Sequence, residues 1–223
     1  MKRLDAVIFD MDGVLIDSEP IYMHHVLDFY ERNGIKVPYH EVIKLAGSSH
    51  EDGLRMMASW WKEDVTPQEM ERIYDAQCKE DDLVYSDILS PYVRYILARL
   101  KTNGIKLAIA SSSSMKAIKT MLKECNLEMY FDCIVSGHDF PLSKPDPAIY
   151  LHTVECLRVP KENCMIIEDS TYGIQAGKAA GMDVIALHDE RFAYEQSMAD
   201  YLVYDLLEAY HLMMHGRVRK QDE

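Results

Sequence analysis

The sequence predicts an α/β protein: a parallel sheet with helices on both faces, plus a small all-helical insert after the first strand. Three observations predict it. Six short apolar runs recur along the 223 residues, at 6–9, 107–110, 133–135, 165–167, 184–187 and 201–203. Most are apolar throughout rather than alternating, as strands covered on both faces must be. Helical periodicity fills the gaps between them, and strand–helix–strand repetition means parallel pairing.

Taken in chain order, "AVIF" at 6–9 is the first strand, and from Asp17 to about Ser86 no convincing strand follows. That stretch carries helix patterns at 20–33, 39–46, 50–62 and 67–82. "TPQEM" at 66–70 is a helix start, with Thr66 as N-cap, Pro67 in the first turn and Glu69 beside the exposed amides. The predicted domains are therefore a core formed by 1–16 and 87–216, a helical cap at 17–86, and a polar tail at 217–223. In the core, helices are predicted at 115–125, 146–157 and 171–180, and Gly104 and Gly181 follow periodic segments as C-cap glycines. Trp60–Trp61 and Met56–Met57 read as cap core, Met213–Met214 as packing on a last helix, and "EDD" at 80–82 as a solvated face.

Composition removes several function classes. The formal net charge of −13 argues against nucleic acid and anionic membranes as partners. It leaves room for a small anionic substrate, because one cation reverses the sign locally. No apolar stretch approaches the ~20 residues that span a bilayer, and the N-terminus does not read as a signal peptide. The five cysteines show no Cys-x-x-Cys spacing and are expected to be reduced thiols of a cytoplasmic protein. A monomer is expected.

The chemistry concentrates where a parallel sheet binds ligands, beyond the carboxyl ends of its strands. After the first strand come Asp10 and Asp12; after "LAIA" come Ser111 and Ser112; Lys144 lies in "SKPDP"; after "MII" come Glu168 and Asp169. Two carboxylates two residues apart repel unless a cation sits between them. Asp10, Glu168 and Asp169 form a small oxygen-only set that suits Mg²⁺ with room for water and substrate. Asp10 could then attack phosphorus, and Asp12 could act as general acid and later as base. Gly13 would let the chain turn sharply after Asp12, Ser111 would donate to a phosphate oxygen, and Lys144 would neutralise charge on the transferring group. Singly, each has a plainer reading: an Asx turn at Asp-x-Asp-Gly, a helix N-cap among Ser111–Ser114, a solvated Lys144, and acids favouring a helix dipole at "EDS". Four such sites at equivalent topological positions favour one shared explanation.

"DMDGVLIDS", "LAIAS", "KPDP" and "IIEDS" resemble, in that order, the four signatures of the haloacid dehalogenase-like hydrolases, and together they frame nearly the whole chain. The resemblance implies a Rossmann-like core with a mobile helical cap, and Mg²⁺-dependent phosphoryl transfer through an aspartyl-phosphate. It assigns Asp10 as nucleophile and Asp12 as acid/base with its carbonyl on the metal. It places Ser111 and Lys144 at the phosphate, and Glu168 and Asp169 at the metal. "EDS" and "DGVLIDS" look most like the branch of β-phosphoglucomutase and small sugar-phosphate phosphatases.

The cap loop "LAGSSHEDGL" at 45–54 resembles the family's specificity loop, but His50 stands where mutase-like sequences place an arginine. An imidazole is a weaker phosphate clamp than a guanidinium fork. Counted from Ser18, the mutase's hinge-side histidine falls on Tyr22. The expected activity is therefore that of a phosphatase on a small phosphorylated metabolite, with Ser18, His50, Ser111, Ser112 and Lys144 at the substrate. A sugar-phosphate mutase and a non-catalytic phospho-ligand binder are the alternatives.

Overall fold

The computed structural model describes residues 3–46, 48, 50–78 and 83–216. The acidic run at 80–82, the polar tail at 217–223, and Gly47 and Ser49 of the cap loop lie outside the described residues. The chain divides into two compact units, one of Met1–Asp17, Tyr85–Asp189 and Tyr194–Glu223, the other of Ser18–Val84 and Glu190–Ala193.

The first unit holds a six-stranded, all-parallel sheet of β1 (Ala6–Phe9), β2 (Lys106–Ser111), β3 (Cys133–Ser136), β4 (Cys164–Glu168), β5 (Asp183–Leu187) and β6 (Tyr201–Val203). Their order is β3-β2-β1-β4-β5-β6. Chain order thus runs outward from β1 on one side and restarts at β4 on the other. The switch point lies between β1 and β4, where open sheets of this kind leave a crevice for ligands. All four residues of β1 are fully buried, which explains why its sequence shows no alternation.

In the second unit, which is helical among its described residues, α1 (Glu19–Arg32) is followed by a single turn α2 (Tyr39–Val42) that tightens into a 3₁₀ turn at Ile43–Leu45, then α3 (His50–Trp60) and α4 (Pro67–Gln77). Its core is aromatic: Phe29 stacks on Trp61 at 5.4 Å, Tyr30 meets Trp60 edge-on, and the Tyr30 hydroxyl donates to the Met57 carbonyl. Buried hydroxyls need such a partner. The Thr66–Glu69 capping box is complete: Thr66 Oγ1 accepts from the Glu69 amide and the Glu69 carboxylate accepts from the Thr66 amide. A cap of this kind is worth ~1 kcal/mol. The helix predicted to continue to residue 82 ends at Gln77, with Cys78 already extended.

Back in the first unit, helices α5 (Val93–Thr102), α6 (Met115–Glu124), α7 (Ala148–Leu157), α8 (Thr171–Ala179) and α9 (Leu206–His215) surround the sheet. The contiguous core under α7 and α8 joins Ile8, Ala108 and Ile166 of the sheet to Ile149, Tyr150 and Ile174. Gly177 lets α8 close on the strands, since a β-carbon there would stand 2.7 Å from Val184.

One expectation is corrected. Cys133 at the start of β3 and Cys156 near the end of α7 form a disulfide, so these two are not free thiols. Packing of α7 against β3 brings their Cα atoms to 6.4 Å, within bridging range, a tertiary proximity that 23 residues of separation does not reveal. Cys78, Cys125 and Cys164 remain free. Among the described residues no helix is long and apolar enough to cross a membrane.

Candidate active site

Every core motif read from the sequence lands at the carboxyl edge of the sheet. Asp10 is the first residue beyond β1, and its amide donates to the Ile167 carbonyl of β4 at 3.0 Å, which fixes it at the switch point. Gly13 turns the following loop back with φ +72°, and its amide donates to the Ile16 carbonyl. The absent β-carbon matters more than the φ: one built at Gly13 would lie 2.0 Å from Asp169 Oδ2. The loop from Asp10 to Gly13 and the Asp169 carboxylate therefore sit against each other only because residue 13 has no side chain.

Lys144 ties the edge together. Its Nζ donates to Asp10 Oδ1 at 2.5 Å, to Glu168 Oε1 at 2.6 Å and to the Ala110 carbonyl at 3.1 Å. Glu168 is saturated. Its Oε1 accepts from Lys144 and from the Tyr150 hydroxyl at 2.8 Å, and its Oε2 accepts from the amides of Asp169 and Ser170 and from Ser170 Oγ. Gly173 leaves the space for this side chain, since a β-carbon there would stand 1.7 Å from Oε1.

The four serines that end and follow β2 divide the labour. Ser111 is buried and its Oγ accepts from the Ser113 amide, leaving its own proton to donate. Ser112 is exposed. Ser113 Oγ donates to Asp12 Oδ2 at 2.7 Å, and the Ser113 carbonyl accepts from Ser136 Oγ. Ser114 caps α6 by accepting from the Ala117 amide. Ser18 and His50 belong to the helical unit. Ser18 is buried at the start of α1, whereas His50, at the start of α3, is exposed and shares a 2.8 Å hydrogen bond with Glu71 of α4.

The signature of haloacid dehalogenase-like hydrolases matches residues 7–187, from β1 to the end of β5, with the whole constellation inside it. The chain belongs to the haloacid dehalogenase-like hydrolases. It is similar to the phosphorylated carbohydrates phosphatase of Thermotoga maritima, 36% identical over 187 residues that cover 82% of this chain and 84% of the relative. It is 32% identical to hexitol phosphatase B of Escherichia coli over 86% of this chain and 89% of that protein. The β-phosphoglucomutase structure from Clostridium difficile superposes with a TM-score of 0.69 at 23% identity, covering 94% of this chain and 98% of that one, which shows a common fold. For this haloacid dehalogenase-like hydrolase, hydrolysis of phosphoric monoesters is the activity that family membership and the phosphatase relatives support.

The electrostatics of the hydrolase explain why its edge needs added positive charge. Burial pushes the Asp10 carboxyl up to about 8 against the pull of Lys144, and the charges of Glu168 and Asp12 add to the rise. Burial would also raise Glu168, but the Lys144 charge and hydrogen bond, with those of Tyr150 and Ser170, hold it below the usual carboxylate range. Burial would depress Lys144, yet Asp10 and Glu168 keep it well above its ordinary value and charged. Lys144 offsets only part of that rise, so a second positive charge beside Asp10 would favour its ionised, nucleophilic form.

Two residues of this edge escaped sequence reasoning. Ser113 lies in a serine run with no internal signal to separate its members. Tyr150 reads as part of the apolar face of α7, and nothing in one sequence says that its hydroxyl reaches a strand-end carboxylate. Among the described residues no three His, Cys, Asp or Glu side chains already surround a cation position. The fit to Mg²⁺ rests instead on the hard oxygen donors of Asp10, Asp12 and Asp169, on the Gly13 gap that admits Asp169, and on the Asp10 carboxyl, which stays raised despite Lys144 and which a second cation would help to ionise.

Proposed function

We propose that the chain is a Mg²⁺-dependent phosphatase of a small phosphorylated carbohydrate, working through an aspartyl-phosphate on Asp10. The observation that carries this reading is the Asp10–Lys144–Glu168 arrangement at the switch point, with Asp12 two residues beyond the nucleophile. Asp10, Asp169 and the Asp12 carbonyl would hold the ion, which when bound supplies charge to ionise Asp10 and to draw in the phosphate. Glu168, the fourth candidate ligand, has both oxygens engaged by five donors and so anchors Lys144 from behind.

Asp10 Oδ1 is held by Lys144, leaving Oδ2 to attack phosphorus in line with the ester oxygen. As the bond from Oδ2 to phosphorus forms and the ester P–O bond breaks, Asp12 gives its proton to the departing alkoxide. Ser111 donates to the equatorial oxygens, where charge is greatest in the transition state, and Lys144 exchanges its longest hydrogen bond, the 3.1 Å one to the Ala110 carbonyl, for one to them. In the second half, Asp12 takes a proton from water, the water oxygen bonds to phosphorus, and the bond to Asp10 breaks. Inorganic phosphate leaves and both carboxyl groups return to their starting state. Ser113 keeps the Asp12 carboxylate in one orientation for both transfers.

The carbohydrate class is supported by relatives named for phosphorylated carbohydrates and hexitols. Hydrolysis rather than mutation is supported by His50, which pairs with Glu71 and offers no guanidinium to a second phosphate. Turnover of an aryl phosphate with Mg²⁺, abolished in Asp10→Asn, is the expected result. Silence of the wild type across a panel of phosphorylated sugars and polyols would leave only the binder. Glucose 6-phosphate formed from β-glucose 1-phosphate with a trace of the bisphosphate would convert the assignment to a mutase. Within a phosphatase, His50→Ala should alter preference among sugar phosphates more than aryl-phosphate turnover.

A further inference from the structure

We infer that Tyr150 is a positioning residue whose hydroxyl locks Glu168 and, through it, aims Lys144 at Asp10. The inference rests on the phosphatase reading for its catalytic consequence, but its geometry stands apart from it. Tyr150 is fully buried in α7, between the sheet and α8. Its hydroxyl donates to Glu168 Oε1, the same oxygen that Lys144 Nζ contacts. Lys144 Nζ also lies 5.0 Å from the centre of the Tyr150 ring, within cation–π range. The tyrosine therefore meets both members of the buried pair, one through its hydroxyl and the other through its ring face.

Glu168 needs such a lock on one side in particular. Its Oε2 is held by two backbone amides and a serine hydroxyl of its own loop, which are fixed to the chain. Its Oε1 has only side-chain partners, Lys144 and Tyr150. Lys144 stands on a loop with a long flexible stem and gives up rotamer freedom to stay in place, whereas Tyr150 has two torsions and a packed ring. Tyr150 is thus the rigid member of the trio, and the direction of the Glu168 Oε1 lone pairs follows from it. Removing the hydroxyl while keeping the ring leaves Lys144 as the sole partner of Oε1, free to swing between Glu168, Asp10 and the Ala110 carbonyl.

Tyr150→Phe is the test, because the ring and its packing survive. Aryl-phosphate kcat should fall about tenfold with KM within twofold, as for a group that orients the transition-state donor without holding the substrate. In a Glu168→Gln background the same substitution should cost nothing further, since coupled residues are non-additive. Additive losses, or loss confined to KM, overturn the inference. Two NMR readouts are independent of turnover. The Lys144 ammonium protons should exchange slowly in the wild type and at least tenfold faster in Tyr150→Phe, and equal rates would overturn it. In the wild type itself the Tyr150 hydroxyl proton should be in slow exchange and show a cross-relaxation peak to the Lys144 ε-methylene. Absence of that peak overturns the inference even if the variant does not fold. If the wild type shows no turnover while both NMR signatures appear, the phosphatase reading falls and the lock stands.

Discussion

Lys144 and Glu168 meet at 2.6 Å with side chains that are 6% and 0% exposed, and the same ammonium holds Asp10 at 2.5 Å. One cation thus stands between two carboxylates in a place water barely reaches. Desolvating such charges is costly, and breaking the pair from one side costs more than replacing it whole.

Lys144→Met should therefore destabilise the protein by ~3 kcal/mol or more, because it leaves Glu168 buried without its counter-charge. The double variant Lys144→Met/Glu168→Gln should recover much of that stability. Neither should recover activity, and turnover should stay at least ~100-fold below wild type for want of the phosphate donor. Urea denaturation and aryl-phosphate assays on the same preparations separate the two effects. Recovery of activity along with stability would show that Lys144 is only structural.

The raised Asp10 carboxyl predicts a pH-dependent affinity for Mg²⁺. Below about 8 the metal must displace a proton from Asp10, so affinity should rise with pH by up to tenfold per unit and level off near pH 8. The stability of the metal-free protein should move the other way. Between the unfolded value of ~4 and about 8 the folded state holds the extra proton, so this group makes folding less favourable as pH rises through that window. Calorimetric titration of Mg²⁺ in two buffers of different ionisation heat should detect nearly one proton released at pH 6 and none at pH 9. A flat proton count would remove Asp10 from the metal.

The disulfide makes a countable prediction. Unfolded in denaturant without reductant, the protein should present three thiols of its five cysteines, and all five after reduction. Closing a loop of 23 residues should stabilise the oxidised form by ~3 kcal/mol on the chain-entropy account. Cys156→Ser should abolish the difference between oxidised and reduced melting temperatures.

The sheet was legible because each strand is an apolar run bounded by loop residues, and β1 and β6 match their predicted bounds residue for residue. The helix α5 was signalled only by its end, since Gly104 lies just past Asn103 with φ +74°. The residues at the strand ends were legible because a parallel sheet gathers whatever follows its strands. The partners that hold those residues were not. Ser113 and Tyr150 act through hydrogen bonds under 3 Å to residues far away in the chain, Ser113 to Asp12 across 101 positions and Tyr150 to Glu168 across 18. Only packing sets such distances. The same holds for Cys133 and Cys156, whose spacing carries no pairing signal.

Glycines 13, 104 and 173 separate backbone strain from lost space. Gly104 takes φ +74° with nothing within 4 Å of a built β-carbon, so Gly104→Ala should cost only the ~1 kcal/mol of a left-handed residue and leave turnover intact. Gly173 has no positive φ, yet its β-carbon would stand 1.7 Å from Glu168 Oε1, so alanine must push the carboxylate aside. Gly173→Ala should thus lower kcat far more than Gly104→Ala, because moving Glu168 releases Lys144. Gly13 combines both costs, with φ +72° and a β-carbon 2.0 Å from Asp169 Oδ2. Gly13→Ala should weaken Mg²⁺ binding as well as turnover, whereas Gly173→Ala should spare Mg²⁺ binding. Calorimetric Mg²⁺ titrations of the three variants at pH 8 decide the point: equal loss at Gly13 and Gly173 would mean that Glu168 contacts the ion after all, and that its role is not confined to anchoring Lys144.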